Sequence, residues 1–187
     1  MKIGTHDSGT GEKGKGLISF LVTPFSKTQG KTLQEQYESG CRLFDIRLRY
    51  IKGAWRCAHG LWYTKKTAEE IFEELNSFPE QVIVQITYEG KGKKKEEFID
   101  FVHYLKLKYP LVLYGNISIK YGKDSTGIKV KYETLEKAEY PVKAVQGFLP
   151  LDGRSWHTYL PIPWLWKKLY HNKPEFNDEY YTWVDFL

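Results

Sequence analysis

The chain has 187 residues, of which 41% are hydrophobic and 16% aromatic, and it carries a formal net charge of +5. This length and composition allow one well-packed domain over residues 1–187 and are short for two. The two cysteines, Cys41 and Cys57, are too few for a disulfide framework and form no CxxC zinc motif. They indicate a reducing compartment and leave at most one bridge open.

No positively charged leader with an apolar run begins the chain, and no apolar stretch approaches the roughly 20 residues that span a bilayer. We therefore expect a cytoplasmic protein, or a secreted one if a leader has been removed. The positive charge favours anionic partners: phospholipid head groups, phosphorylated small molecules or nucleic acid. Nucleic acid is the least expected of these, because no recognised binding motif accompanies the charge.

The first third of the chain alternates strands with turns and helices. Residues 2–6 predict a short strand that runs directly into a His6-Asp7 turn, and the glycines and polar residues of 8–16 predict a surface loop. Thr32 and Glu35 have capping-box spacing, so we expect a short helix that ends near residue 39.

The strand predicted over residues 41–51 is apolar on one face and charged on the other. Strict alternation puts Phe44, Ile46 and Leu48 on one side and Asp45 and Arg47 on the opposite side. Buried under helices in an open sheet, these charges would cost several kcal/mol each unless they were paired. At the mouth of a (β/α) barrel they would face the opening, and residues 82–89 repeat the pattern. We therefore predict an α/β fold: a single small, distorted TIM-type (β/α) barrel with trimmed connections.

The remaining elements follow in order along the chain. Residues 55–59 predict a short extension that carries His59 back over the mouth. Thr67 and Glu70 predict a capped helix to about residue 78, and a second helix covers 96–109. Strands are expected over 111–121, 128–132, 142–149 and 181–187, and a helical turn over 164–170. In the closing strand the lone charge of Asp185 is expected to point inward.

Two histidines, two carboxylates and an arginine therefore collect near one end of the predicted sheet: His6, Asp7, Asp45, Arg47 and His59. These are the groups needed to break a phosphodiester without a metal ion. One imidazole can take a proton from an attacking hydroxyl, the other can protonate the leaving oxygen, and the guanidinium can neutralise phosphoryl charge.

The motifs, taken in this order, resemble a known family. His6-Asp7, the Phe-Asp-Ile-Arg run at 44–47, His59-Gly60, a strand ending near Glu89 and a final strand carrying Asp185 are similar to the X domain of phosphatidylinositol-specific phospholipase C. The closer likeness is to its metal-independent bacterial type, and it covers residues 3–90 and the last few. The resemblance implies a distorted TIM barrel. It also implies conversion of phosphatidylinositol into a cyclic inositol phosphate and diacylglycerol by internal transphosphorylation.

The resemblance also implies a role for each matching residue. His6 corresponds to the general base, oriented by Asp185, and His59 to the general acid, with Asp7 as its carboxylate partner. Arg47 corresponds to the residue that contacts the phosphate and the nucleophilic hydroxyl. Such carboxylates fix the tautomer of an imidazole and raise its basicity.

Three further site residues belong to this expectation. Asp45 corresponds to a supporting carboxylate, while Thr87 and Glu89 fall where relatives carry substrate-binding residues, a lysine in the bacterial type that this chain lacks. Arg47 predicts that no metal ion binds, because calcium-dependent relatives have an acidic ligand on that strand and a guanidinium would repel a divalent ion. No other cofactor is implied.

Alternative interpretations remain open from the residues. The substrate is phosphatidylinositol, a related inositol phosphodiester or another phosphodiester with a neighbouring hydroxyl. The chain could instead be a catalytically silent barrel that binds phosphorylated ligands or anionic membranes. A glycerophosphodiesterase-like hydrolase would need a metal-binding carboxylate cluster, and Arg47 argues against it.

Peripheral contact with a membrane is a further expectation. The lysine-rich stretch 90–95 could meet anionic lipid, although a solvated loop is the simpler interpretation. Trp156, Trp164 and Trp166 could form an interfacial rim, with packing in the core as the favoured alternative.

Overall fold

The computed structural model describes residues 2–90, 92–121, 131–138, 144–146, 178–179 and 181–184. Within these ranges the chain is an α/β protein, as predicted, and its sheet contains both parallel and antiparallel strand pairs. The expectations for Asp185, for the three tryptophans of stretch 156–166 and for a helical turn over 164–170 fall outside these ranges.

The described residues form four helices, nine strands and one short 3-10 turn. The helices are α1 (Gly16–Ser26), α2 (Leu33–Glu38), α3 (Ala68–Asn76) and α4 (Lys95–Lys108), and the 3-10 turn is Ser8–Gly11. The strands are β1 (Ile3–Thr5), β2 (Cys41–Ile51), β3 (Ala54–His59), β4 (Trp62–Tyr63), β5 (Ile83–Tyr88), β6 (Leu113–Tyr121), β7 (Lys131–Glu136), β8 (Ala144–Gln146) and β9 (Tyr181–Val184).

The short strand β1 lies at the centre of the sheet. It pairs in parallel with β2 on one side and with β9 on the other. β5 and β6 continue the parallel sheet beyond β2, and β8 lies beyond β9. Because these six strands run in the same direction, their carboxyl ends meet at one edge, and β3 folds back there antiparallel to β2.

The sheet is open over the described residues, with the strand order β7-β6-β5-β2-β1-β9-β8. The closed barrel expected from the sequence is therefore not formed by the strands described. β7 pairs antiparallel with β6 and lies at one end of this strand order.

The alternating pattern of β2 is borne out. Phe44, Ile46 and Leu48 are fully buried in the hydrophobic core, into which α3 and α4 also pack. Trp55 of β3 stacks on Phe101 of α4 with ring centroids 5.5 Å apart. The apolar face of the sheet is thus covered by helices, and the charged residues of β2 lie on the opposite face.

The boundaries of most elements lie close to those predicted. Both capping boxes are formed, by Thr32 with Glu35 and by Thr67 with Glu70. The strand expected over 128–132 is found at Lys131–Glu136, and that expected over 142–149 is described only at Ala144–Gln146. Helix α1 was not predicted from the sequence, which indicated a polar loop over residues 8–16 and no helix or strand between this loop and α2.

The two cysteines are both buried and free. The one disulfide that the sequence left open is therefore not formed. Burial raises the pKa of Cys41 to about 12, which keeps this thiol protonated and unreactive.

The described helices are short. None of them is both long enough and apolar enough to cross a membrane.

The capping box of α3 provides a test of the local structure. The Thr67 hydroxyl accepts a hydrogen bond from the Glu70 backbone N–H at 3.2 Å. Thr67→Ala removes this acceptor, and we expect the free energy of unfolding to fall by about 1 kcal/mol, measured by urea unfolding. Glu73→Ala, at an exposed position of the same helix, is the control and should change the value by less than about 0.5 kcal/mol. Equal effects of the two substitutions would contradict the capping role.

Candidate functional site

The candidate site lies at the carboxyl edge of the parallel strands. His6 and Asp7 follow β1 directly, and Asp45 and Arg47 lie within β2. His59 ends β3, which folds back along β2 toward the same edge. The topology therefore brings together the five residues that the sequence analysis selected from separate motifs.

The turn after β1 fixes the position of Asp7. This residue has φ 48° and ψ 45°, a left-handed conformation that aspartate tolerates better than most residues. Its backbone N–H donates a hydrogen bond to Asp45 Oδ2 at 3.1 Å, and the N–H of Asp45 donates to Ser8 Oγ at 2.8 Å. The turn is thus tied to the charged face of β2 by two hydrogen bonds.

Close packing below this turn requires a glycine. A Cβ atom added at Gly9 would lie 2.7 Å from Cys57 Sγ. The 3-10 turn that follows Asp7 can therefore pack directly on β3, and the Asp7 side chain is only 1% exposed.

Arg47 is the centre of the charge cluster. Its Nε lies 3.0 Å from Asp45 Oδ2 and 2.5 Å from Asp7 Oδ1, and its Nη1 donates to Glu89 Oε1 at 3.2 Å. Nη2 lies 2.6 Å from His6 Nε2. Burial lowers the pKa of Arg47, but the negative charges of the three carboxylates outweigh this effect and hold the pKa well above its usual range. The guanidinium therefore stays charged.

Arg47 also determines the protonation of His6. A guanidinium N–H can only donate, so the His6 Nε2 that it contacts carries the lone pair. The backbone N–H of His6 donates to Val184 O at 3.1 Å, which ties the residue to β9. The side chain is 30% exposed. In this state His6 has the neutral form that a general base requires.

His59 is held by a backbone carbonyl at the end of α1. Its Nδ1 lies 2.8 Å from Ser26 O. Because a carbonyl oxygen can only accept, Nδ1 carries a proton, and Nε2 is the atom left for proton exchange. Asp7 Oδ2 lies 3.7 Å from the same Nδ1 and would stabilise a positive charge on the ring.

The two imidazoles share one carboxylate. Asp7 Oδ2 lies 3.9 Å from His6 Nδ1 as well as 3.7 Å from His59 Nδ1. Neither oxygen of Asp7 accepts a hydrogen bond from the described part of the chain, so its charge is balanced by nearby cations. Burial raises the pKa of Asp7, but nearby positive charge, that of Arg47 first and that of Lys120 with it, outweighs this effect and holds the pKa well below its ordinary value.

Lys120 is a site residue that the sequence analysis missed. Its ammonium lies 3.0 Å from Glu89 Oε1, the oxygen that also accepts from Arg47, and its side chain is only 7% exposed. The resemblance indicated that a lysine of the bacterial type is missing at Thr87 and Glu89, yet β6 supplies a lysine beside Glu89. The alternation of Ser118 and Lys120 with the buried Ile117 and Ile119 could have indicated it.

Thr87 takes a more peripheral position. It is aligned with Arg47 in the pairing of β2 with β5, but its hydroxyl hydrogen-bonds with Ser118 Oγ at 3.2 Å. The other two expected substrate-binding residues, Asp45 and Glu89, contact the arginine directly. Asp185, which was expected to orient His6, lies outside the described residues.

His6, Asp7 and Asp45 are arranged closely enough to be considered as metal ligands. One ligand atom from each lies within 4.8 Å of the others. Arg47, however, contacts all three at 2.5–3.0 Å. A fixed guanidinium at this position opposes a second cation by direct repulsion.

Comparisons with known proteins give distant structural neighbours. No family model and no curated protein matches the chain. Two mutants of the phosphatidylinositol-specific phospholipase C from Staphylococcus aureus are similar solved structures, at 20% and 15% identity with TM-scores of 0.45 and 0.48. The first alignment covers 63% of this chain and 47% of the other, and the second covers 99% and 85%.

The phosphatidylinositol-specific phospholipase C from Listeria monocytogenes is a further neighbour. It is 18% identical with a TM-score of 0.45, over 78% of this chain and 60% of the other. In two of the three comparisons the chain thus spans about half to three-fifths of the neighbour's length. At these identities and TM-scores, the roles of the residues follow from their own geometry alone.

The lowered pKa of Asp7 makes a prediction for stability in acid. Its ionised form stabilises the fold above the ordinary carboxyl value of 3.8, and this contribution is lost as the pH falls below that value. We expect the free energy of unfolding of the wild type to fall by on the order of 2 kcal/mol more than that of Asp7→Asn between about pH 5 and about pH 2.

The measurement is urea unfolding over this pH range. Asp100→Asn, at an exposed position of α4, is the control and should keep the pH dependence of the wild type. An unchanged slope in Asp7→Asn would show that the Asp7 carboxylate does not stabilise the fold.

Proposed function

We propose that this protein is a phosphodiesterase that works by general acid–base catalysis without a metal ion. The observation that carries the proposal is the position of Asp7 Oδ2, within 3.9 Å of both imidazoles, beside a buried arginine. A phosphodiester bound at Arg47 would find a base and an acid in one charge cluster. The substrate class is an inositol phosphodiester, phosphatidylinositol first, as the sequence resemblance implies.

The reaction is an internal transphosphorylation. Nε2 of neutral His6 takes the proton of the hydroxyl next to the phosphate, and that oxygen attacks phosphorus to form a cyclic phosphodiester. The bond from phosphorus to the glycerol oxygen breaks, and His59 Nε2 gives a proton to the leaving oxygen. The products are a cyclic inositol phosphate and diacylglycerol.

Arg47 links binding to the first step. In the free protein its Nη2 donates to His6 Nε2. A phosphate oxygen that takes over this donor frees the lone pair of His6 while its own charge is neutralised. Substrate binding and activation of the base therefore depend on the same N–H group.

Asp7 supports the second step. His59 can act as an acid only as an imidazolium, because its Nδ1 proton is engaged with Ser26 O. The ionised carboxylate at 3.7 Å favours that cation. Asp185 would orient His6, in line with the resemblance.

The complete fold would be a single distorted (β/α) barrel domain. The parallel strands follow one another in chain order from β1 through β2, β5 and β6, while β1 also pairs with β9, the last described strand. This cyclic order of neighbours is typical of a sheet that closes on itself.

Replacing either histidine tests the mechanism. His6→Ala and His59→Ala should each lower kcat by about 100- to 10,000-fold, the range for loss of a general acid or base. The measurement is phosphorus NMR of the products formed from phosphatidylinositol micelles with excess chelator. His103→Ala, an exposed histidine of α4, is the matched control. A cyclic phosphate signal that persists in both site variants, or vanishes with chelator, contradicts the mechanism.

Lys120 tests the electrostatic part of the site. Lys120→Gln removes a buried positive charge beside Glu89, and we expect kcat/KM for an anionic phosphodiester to fall by about tenfold, mainly through KM. Lys106→Gln, at a lysine that pairs with Glu136 on a more exposed part of the chain, is the control. Steady-state kinetics at two salt concentrations would compare the two variants. Equal kcat/KM values for Lys120→Gln and Lys106→Gln at both concentrations would exclude Lys120 from the site.

A further inference from the structure

A side-chain amide holds the backbone carbonyl of His6. Strand β1 ends at Thr5, one residue before His6. Gln29 Nε2 donates a hydrogen bond to His6 O at 2.9 Å and another to Val184 O at 2.8 Å. An amide NH2 group carries two hydrogens and a carbonyl oxygen can only accept, so both N–H groups of the amide have an acceptor. Gln29 is fully buried, and solvent therefore does not compete for these two bonds.

The same amide contacts both peptide groups that flank the His6 side chain. Val184 O accepts the backbone N–H of His6 at 3.1 Å, in addition to its bond from Gln29. Gln29 therefore binds the C=O of His6 and also the β9 oxygen that binds its N–H. Because the two planar peptide groups of a residue fix the direction of its Cα–Cβ bond, these contacts set the starting point of the imidazole. The ring then meets Arg47 Nη2 at 2.6 Å.

The backbone of Gln29 is anchored separately from its amide. Thr10 Oγ1 accepts the backbone N–H groups of Thr28 and Gln29 at 3.2 and 3.1 Å. The same hydroxyl donates to Asp7 O at 2.8 Å, and both threonines are buried. The backbone of residue 29 is thus tied to the turn that carries the Asp7 carboxylate, and the amide reaches His6 from a fixed position.

The segment that ends at Gln29 also holds the other histidine. Three residues earlier, Ser26 O accepts a hydrogen bond from His59 Nδ1 at 2.8 Å. Three peptide units span at most about 11 Å. Residues 26–29 therefore connect the backbone of the proposed base to the ring of the proposed acid over a short and limited distance.

We propose that Gln29 is a positioning residue, which aligns the His6 imidazole with Arg47 and sets its distance from His59. The proposal deepens the proposed function and rests on it for the reaction that this positioning serves. Without the amide, the carbonyls of His6 and Val184 lose a shared donor, and the turn after β1 shifts. A misplacement of about 1 Å is enough to cost on the order of 100-fold in rate.

Steady-state kinetics with phosphatidylinositol micelles test the positioning. Gln29→Met removes both N–H donors and keeps an unbranched side chain of similar length. We expect kcat to fall by about 10- to 100-fold and KM to change by less than about threefold, because Arg47 and Lys120 remain to bind the substrate. Gln29→Asn, which keeps the amide on a side chain one methylene shorter, is a second variant should Gln29→Met unfold, and it should lower kcat as well.

Gln36 offers a matched control. It is also fully buried, and its Nε2 donates to two backbone carbonyls, those of Ser8 at 3.0 Å and Lys31 at 2.8 Å. Gln36→Met removes a comparable pair of hydrogen bonds, but neither carbonyl belongs to a histidine. We expect its kcat to stay within about threefold of the wild-type value. An equal loss of kcat in Gln29→Met and Gln36→Met would assign the effect to stability and overturn the proposal.

The tautomer of His6 provides a measurement that needs no turnover. In the wild type Arg47 donates to Nε2, so the proton of the neutral ring lies on Nδ1. Nitrogen–proton correlation NMR of the imidazoles at high pH should show this single tautomer in the wild type and in Gln36→Met. In Gln29→Met the ring is no longer aligned with Arg47, and we expect a mixture of the two tautomers.

These measurements separate the role of Gln29 from the proposed function. Turnover by the wild type, with an unchanged tautomer or an unchanged kcat in Gln29→Met, refutes the positioning role and leaves the enzyme. A wild-type protein without turnover refutes the phosphodiesterase, and the tautomer then decides the role of Gln29: a mixture confined to the Gln29 variants supports positioning of His6, and the wild-type tautomer overturns it.

Discussion

The contact of Arg47 with three carboxylates is the interaction on which the site depends. Asp7, Asp45 and Glu89 come from three different parts of the sheet edge, and each lies within 3.2 Å of the guanidinium. Buried carboxylates at such spacing would repel one another without a cation between them. The guanidinium therefore holds the strand ends together while it also sets the protonation of His6. The Arg47 side chain therefore supports both the packing of this sheet edge and the chemistry of the candidate site, and a substitution of Arg47 would alter both.

Much of this arrangement was predictable because β-strand periodicity is local. The alternation in β2 separated Phe44 and Ile46 from Asp45 and Arg47, and the capping boxes at Thr32 and Thr67 marked the starts of α2 and α3. Short-range rules of this kind need no tertiary information. The motifs that carry the histidines were selected instead by the chemistry of their residue types and by the family resemblance.

The features that the sequence did not predict depend on contacts between distant residues. Lys120 enters the site because β6 lies next to β5, and the shared position of Asp7 between two histidines follows from three-dimensional packing. Helix α1 escaped prediction because its apolar residues face outward, against the usual rule that the apolar side of a helix is buried. The antiparallel pairing of β7 with β6 was likewise not predicted, since a (β/α) barrel is built from parallel strands.

The pairing of β1 with β9 has a consequence for the order of folding. Val184 O accepts the backbone N–H of His6 and the side-chain amide of Gln29, across more than 150 residues of sequence. Contacts of such separation are formed late, because the entropy of closing a long loop must first be overcome. His6 therefore lacks its hydrogen bond to β9 until the last described strand has been synthesised and pairs with β1.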